Sequence, residues 1–156
     1  MKIPLTKGKY AIVDEGYHKT LTSMASWCYQ SPGYAAARVH GRLILMHRLI
    51  AALEWGPIAR EVDHRNRNRL DNRVENLRYA NGSGNHMNKG PRCDNTSGYK
   101  GVFWHKGARK WMAQIKYRGV THYLGLFGSK QDAAKAYNRK AIELAGEFAW
   151  LNRIAA

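Results

Sequence analysis

Three stretches decide the reading of the fold: Val62-Asp63-His64, Asn72-Arg73-Val74-Glu75-Asn76-Leu77-Arg78 and Asn85-His86-Met87-Asn88. A carboxylate sits beside an imidazole, and amides return to them after intervals that suit a hairpin leading into a helix. Phosphodiester hydrolysis needs an activated water, in-line geometry and stabilisation of charge on the phosphate and the leaving oxygen. A histidine, a carboxylate-held cation and amides can supply these. Neighbours on an extended strand face opposite sides, so a local twist or bulge is expected if Asp63 and His64 serve one site. Taken singly, Asp63 and Asn72 read as turn caps, Asn76 as a loop closure and His64 as a satisfied polar residue. Their joint spacing weighs against that.

Upstream of this stretch the period is helical. Met46, Leu49, Ile50 and Leu53 fall at i, i+3, i+4 and i+7, one face of a helix that ends near Gly56-Pro57 and should cover the hairpin. His47 lies on it, as a packed or surface side chain. Before it, Tyr10-Ala11-Ile12-Val13, Arg42-Leu43-Ile44-Leu45-Met46 and Gly33-Tyr34-Ala35-Ala36-Ala37-Arg38-Val39 have strand character and predict a small sheet.

Downstream, residues 88–98 combine turn formers with no apolar period and read as a linker, 89–96 at its narrowest. Gly101-Val102-Phe103-Trp104, 110–117 and 121–127 then predict three antiparallel strands. In the second of these Trp111, Ala113, Ile115 and Tyr117 point one way and Met112, Gln114 and Lys116 the other, the period of a half-buried strand. Arg118-Gly119 supplies a turn. Ser129 with Asp132 forms a capping box for a helix whose Ala133, Ala134, Tyr137, Ala141, Leu144 and Ala145 share one face, and Gly146 stops it. The fold class expected is α+β: an N-terminal unit of hairpin and helix with a small preceding sheet, then a three-stranded antiparallel sheet on one helix.

Composition points to a polyanion. Of 156 residues 26 are Lys or Arg and 11 Asp or Glu, a formal charge of +15, so nucleic acid is the expected partner. No apolar run approaches the roughly 20 residues of a membrane span, so no membrane is expected. Cys28 and Cys93 have no C-x-x-C partner, which excludes a four-cysteine zinc site and leaves them as reduced thiols. Met1-Lys2-Ile3-Pro4-Leu5 lacks the apolar segment of a signal peptide, so a cytoplasmic location is expected.

With His47-Arg48-Leu49-Ile50 in front of it, the segment 46–88 resembles the HNH homing endonucleases of phages and mobile introns. The resemblance implies the beta-beta-alpha-metal fold and, position by position, His64 as the general base, Asp63 as a metal ligand, Asn76 as the residue that orients the histidine and Asn85 as the second ligand, with His86 as the alternative. It implies one divalent metal, Mg²⁺ or Mn²⁺, since an amide oxygen suits a hard cation and an imidazole a softer one. No structural zinc is expected. Arg65, Arg67, Arg69, Arg73 and Arg78 flank the site as candidates for phosphate.

Residues 97–152 resemble the APETALA-type DNA-binding domain of plant ethylene-response factors, which is also found attached to phage HNH endonucleases. The matching residues are Tyr99-Lys100-Gly101-Val102, Trp111, Ala113, Ile115, Tyr123-Leu124-Gly125-Leu126-Phe127, Ala133-Ala134, Ala136-Tyr137 and Leu151-Asn152. In that family the sheet enters the major groove. The positions matching its contacts are Lys100, His105, Gln114, Lys116, Thr121 and Tyr123, and Arg109 and Lys110 lie in a loop suited to phosphate.

The domains expected are therefore an HNH nuclease domain over 1–88, a linker over 89–96 and an APETALA-type domain over 97–156. The function expected is a metal-dependent endonuclease for double-stranded DNA, of phage or prophage origin, acting as monomer or homodimer. One metal site per chain implies one strand cut per event. The alternative is a DNA-binding regulator with an inactive HNH unit.

Overall fold

The first ten residues turn back on themselves. In the computed structural model, which describes residues 1–57 and 60–154, β1 (Lys2–Pro4) pairs antiparallel with β2 (Tyr10–Ile12) and buries Ile3 and Ala11. Helix α1 (Glu15–Met24) follows Asp14 and buries only Leu21, whose carbonyl accepts from Trp27 Nε1 at 2.8 Å. A second antiparallel sheet runs in the order β3 (Cys28–Gln30), β4 (Tyr34–Val39), β5 (Arg42–Leu45). Its alanines Ala35 and Ala37 are small enough to let α2 (Met46–Trp55) lie close, and they share a core with Ile50, Ala51, Leu21, Trp27 and Val13.

Strands β4 and β5 and helix α2 fall where apolar patterning places them, but β2, expected in the same small sheet, pairs with β1 in a sheet of its own, and β1, α1 and β3 carry no comparable signal. Three-residue strands offer too few positions for a period, and a helix with one buried residue has almost no stripe. On α2 the buried residues are Met46, His47, Ile50 and Ala51, with Leu49 partly covered, whereas Leu53 is 50 % exposed. The buried face is thus turned by about one residue from the expected stripe. His47 takes the place of an apolar side chain in it.

A two-stranded ladder completes the first compact unit, which spans Met1–Asn81. Strand β6 (Glu61–His64) pairs with β7 (Leu77–Ala80), Asp63 opposite Arg78 and His64 opposite Leu77, with no shift of register. The loop between them is held from outside. Ile12 N donates to Leu70 O and Asn72 N to Ile12 O, both at 2.7 Å, and Asp14 Oδ2 accepts from Val74 N at 2.8 Å.

The second compact unit spans Gly82–Ala156. It opens with the short helix α3 (Gly82–Asn88), whose Met87 packs with Ile115, Tyr137 and Ala141, and Gly84 lies beneath the Phe148 ring, where a Cβ would come within 3.1 Å. Three antiparallel strands follow, β8 (Val102–His105), β9 (Lys110–Tyr117) and β10 (Val120–Phe127), in the order β10, β9, β8. Arg118 and Gly119, with φ of 48° and 84°, make the β9–β10 turn. Helix α4 (Lys130–Ala145) covers one face with Ala133, Ala134, Tyr137 and Ala141, and Ser129 caps it by accepting from Asp132 N at 3.1 Å. Asn152 latches the unit: its side chain accepts from Lys100 N at 2.7 Å and donates to Lys100 O at 3.1 Å, while its backbone N donates to Asn138 Oδ1 at 2.8 Å. Among the described residues the architecture is α+β with several small antiparallel sheets and four α-helices.

Candidate active site

The β6–β7 connection is long and has little regular structure, so its backbone polar groups need side-chain partners. The asparagines of Arg65-Asn66-Arg67-Asn68-Arg69-Leu70-Asp71-Asn72 provide them. Asn66 Oδ1 accepts from Asn68 N and Asn68 Oδ1 from Leu70 N, at 2.8 and 3.1 Å, two successive Asx turns. Asn76 closes the loop from the far side, accepting from Asn66 N at 2.9 Å and donating to Asp71 O at 2.6 Å. Asp71, 2 % exposed, accepts from Asn66 Nδ2 at 2.8 Å and from Arg73 Nε and Nη2 at 2.9 Å each. Hydrogen bonds from Arg73 hold its carboxyl below the ordinary carboxylate range.

This frame presents Asn72 to His64. Asn72 is fully buried, its Nδ2 donates to Leu70 O at 3.2 Å and lies 3.6 Å from Met46 Sδ, and its Oδ1 sits 3.2 Å from His64 Nε2. An amide oxygen only accepts, so Nε2 carries the ring proton and, in the neutral imidazole, Nδ1 keeps the lone pair. Burial pushes the His64 pKa below its ordinary value, outweighing the Asn72 bond and the charges of Asp63 and Asp71. A neutral, oriented imidazole can take a proton from water.

Asp63 is buried with Arg78, which donates to Asp63 Oδ2 from Nη2 at 3.0 Å and from Nε at 3.2 Å. The uninterrupted ladder answers the expectation of a bulge: the Asp63 carboxylate meets its cross-strand partner Arg78, while the His64 ring turns to Asn72 and to His47. The His47 ring lies 5.0 Å from that of His64, at 63°, and Tyr34 lies 5.0 Å from His47 and 6.2 Å from His64.

Among the described residues His47 Nδ1 has no hydrogen-bond partner, and burial, ahead of the nearby His64 and Arg48, pushes the His47 pKa down to about 3. An unfolded histidine titrates near 6.5. Above that pH both states are neutral. Between about 6.5 and 3 only the unfolded chain takes the proton, so stability falls as the pH drops through this window, by about 1.4 kcal/mol for each unit between the two values and on the order of 5 kcal/mol in all. Urea midpoints at neutral and mildly acidic pH should show this loss, and His47→Phe should reduce it; an equal loss in the variant would place the acid sensitivity elsewhere.

Of the residues singled out from sequence, Asp63, His64 and Asn76 thus sit on one ladder and its loop, within the first unit. Asn85 and His86 sit on α3 in the second. Desolvation by burial, followed by the charges of Lys100, Lys89 and Lys116, pushes the His86 pKa down. Asn72, Asp71, His47 and Tyr34 were not assigned a catalytic role from sequence, and Arg69 was one of five arginines placed there as candidates for phosphate. Only the alternation of asparagines and arginines ahead of Asn72 hinted at a built loop, and nothing local tells which amide meets the histidine.

In the second unit Gln114, Lys116, Thr121 and Tyr123 share the sheet face away from α4, as cross-strand pairs Lys116 with Thr121 and Gln114 with Tyr123. Tyr123 is 60 % exposed. Arg109 and Lys110 lie at the β8–β9 hairpin, where His105 Nδ1 accepts from Ala108 N at 3.0 Å. Lys100 Nζ donates to the carbonyls of His86, Met87 and Lys89 at 3.3, 2.9 and 2.6 Å and so caps the end of α3. Trp104 and Trp111 pack edge to face at 5.2 Å.

Residues 45–87 match the family model described as HNH endonuclease. Over 141 residues the chain is 32 % identical to an uncharacterized HNH endonuclease of Acanthamoeba polyphaga mimivirus, covering 86 % of this chain and 70 % of the relative. No solved structure matches it. The matched segment contains the β6–β7 ladder, the amide-stitched loop and α3, and on that evidence the chain belongs to the HNH endonuclease family.

Proposed function

We infer that this protein is a metal-dependent endonuclease for double-stranded DNA, with His64 as the general base and one strand cut per active site. The observation that carries this is the buried, neutral His64 whose Nε2–H is bound by Asn72 Oδ1, which leaves Nδ1 as the basic atom. Asn76 acts on the histidine through the loop, its side chain holding the backbone at Asn66 and at Asp71, the residue before Asn72. The formal charge of +15 favours a polyanionic substrate.

The donor set proposed for the cation is Asp63 and Asn85, with His86 in place of Asn85 as the alternative. Among the described residues no cluster of three His, Cys, Asp or Glu exists. One carboxylate and one amide oxygen, completed by water and phosphate, suit Mg²⁺ or Mn²⁺, which keep several waters and need no all-protein cage. Bound there, the cation would supply positive charge to the phosphate and the leaving oxygen. The chain itself supplies the base, its tautomer and the exclusion of water from one side of the ring by His47 and Tyr34.

Residues 97–156 serve in this reading as an APETALA-type reader that holds a duplex against its outer sheet face, with a linker over 89–96. Support comes from the sheet order, the single backing helix and the common face of Gln114, Lys116, Thr121 and Tyr123. His105, Arg109 and Lys110 would contact the backbone from the hairpin, and Lys100 would act through the end of α3. No described helix is long and apolar enough to cross a membrane.

One observation favours the alternative of a DNA-binding regulator: Arg78 already neutralises the Asp63 carboxylate. Supercoiled plasmid separates the two. With Mg²⁺ or Mn²⁺ the endonuclease should produce nicked circles and should stop on chelation with EDTA, while DNA binding persists. Binding without nicking under either metal would leave the regulator.

A further inference from the structure

Five arginines lie along the site segment, and their surroundings divide them. Arg73 is taken up by Asp71 and Glu75, and Arg78 by Asp63. Arg69 is held differently. Its Nη1 donates to Pro32 O at 2.5 Å, and its guanidinium carbon lies 4.9 Å from the centre of the Tyr34 ring. Its stem passes Gly33, where a Cβ would sit 3.7 Å from Arg69 Cδ. Among the described residues no carboxylate pairs with it, and it is half-buried.

A guanidinium seated on a ring and tied by one bond has lost much of its rotational freedom, and it still offers Nε–H and Nη2–H as a planar fork. The same Tyr34 ring touches His47 and lies 6.2 Å from the ring of His64, so the fork and the base share one wall. A fixed cation with unspent donors on that wall suits an anion that must be held within reach of the imidazole.

We propose that Arg69, seated on Tyr34 and Pro32, binds a backbone phosphate of the DNA beside His64, with Tyr34 as its positioning residue. The assignment rests on His64 acting on DNA. It also gives the N-terminal sheet a part in substrate binding, since Pro32 and Tyr34 precede the family-matching segment, which begins at residue 45. Neither residue belongs to the motif that defines the site in sequence.

The test is duplex affinity in EDTA as a function of salt, for the full chain. Each phosphate contact on B-DNA contributes about 0.9 to the slope of log affinity against log salt. Arg69→Gln should flatten the slope by about that amount, Arg69→Lys should restore it, and Tyr34→Phe, which keeps the ring, should match the parent. Arg69→Met serves as a second neutral replacement should the glutamine variant melt early. Lys19→Ala, on the exposed side of α1, controls for net charge. An unchanged slope in the neutral variants, or an equal change in the Lys19 control, overturns the proposal. Plasmid nicking is scored separately. A parent that fails to nick while the Arg69 effect persists removes the catalytic reading alone, whereas a nicking parent with no Arg69 effect removes this proposal alone.

Discussion

His64→Ala is expected to lower plasmid nicking by about 10² to 10⁴-fold, the usual contribution of a positioned general base. The size follows from how completely the site is committed to this ring. Asn72 is fully buried, its amide group is oriented by Leu70 O, and its oxygen fixes the proton on His64 Nε2. The packed His47 ring cannot take over, because burial holds its pKa near 3 and its lone pair is a poor proton acceptor at neutral pH. Loss of the ring also removes a packing partner of His47, so the melting temperature should be recorded beside the rate. DNA affinity measured in EDTA should stay within about threefold, since less than about 1 kcal/mol of binding is assigned to the ring. Nicking that survives in the alanine variant would move the base elsewhere and reopen the regulator reading.

Gly101→Ala should be the most destabilising single change in the second unit. Gly101 has a φ of +74°, and a Cβ there would land on the Tyr137 ring and within 2.5 Å of Gln114 O. The left-handed backbone costs a non-glycine residue about 1–2 kcal/mol, and forcing a methyl into a packed core costs about 1–3 more. Neither neighbour can yield cheaply. Tyr137 is 1 % exposed at the centre of the α4 interface, and the Gln114 strand is bonded to Gly101 itself through Gln114 N at 2.9 Å. For a unit of this size a loss of that order lowers the melting temperature by about 10–40 °C. Hydrogen exchange should quicken in β9 and α4 more than in the β6–β7 ladder. Gly128→Ala, where a Cβ meets nothing within 4 Å, should change stability by less than about 0.5 kcal/mol and so marks the effect as specific. An equally mild Gly101 variant would show that the chain can shift there.

Much of this was legible in the residues. The eight-residue β9, the capped α4 and the amphipathic α2 all follow from period and end signals, because each is long enough to show its own pattern. Asp63 and His64 were singled out by spacing, and both are buried on the ladder. The partner of the His64 ring was less legible. Asn76 was the amide expected to orient it, whereas the bond to the ring comes from Asn72, and Asn76 bonds the loop backbone. Both asparagines lie within a few residues of each other, and sequence distance does not distinguish which side chain points at a ring across a turn.

By itself the sequence determined the elements and the inventory: an α+β chain, a hairpin carrying Asp63 and His64, a sheet backed by one helix, and a charge suited to DNA. These are local properties, written in periods of two and 3.6 and in caps and turns. Only the tertiary structure decided what surrounds the histidine. Asn72 supplies its acceptor, strand β2 steadies the loop through Ile12, and Tyr34 with His47 walls one side. Likewise it is packing that joins α3 to the second unit through Met87 and Phe148, and that spends Lys100 on the end of that helix. Apart from the Asn72–His64 bond, eight residues apart, such contacts link residues 13 to about 60 positions apart, and they depend on how whole elements close over one another, a free energy summed over the core that no short window of sequence contains.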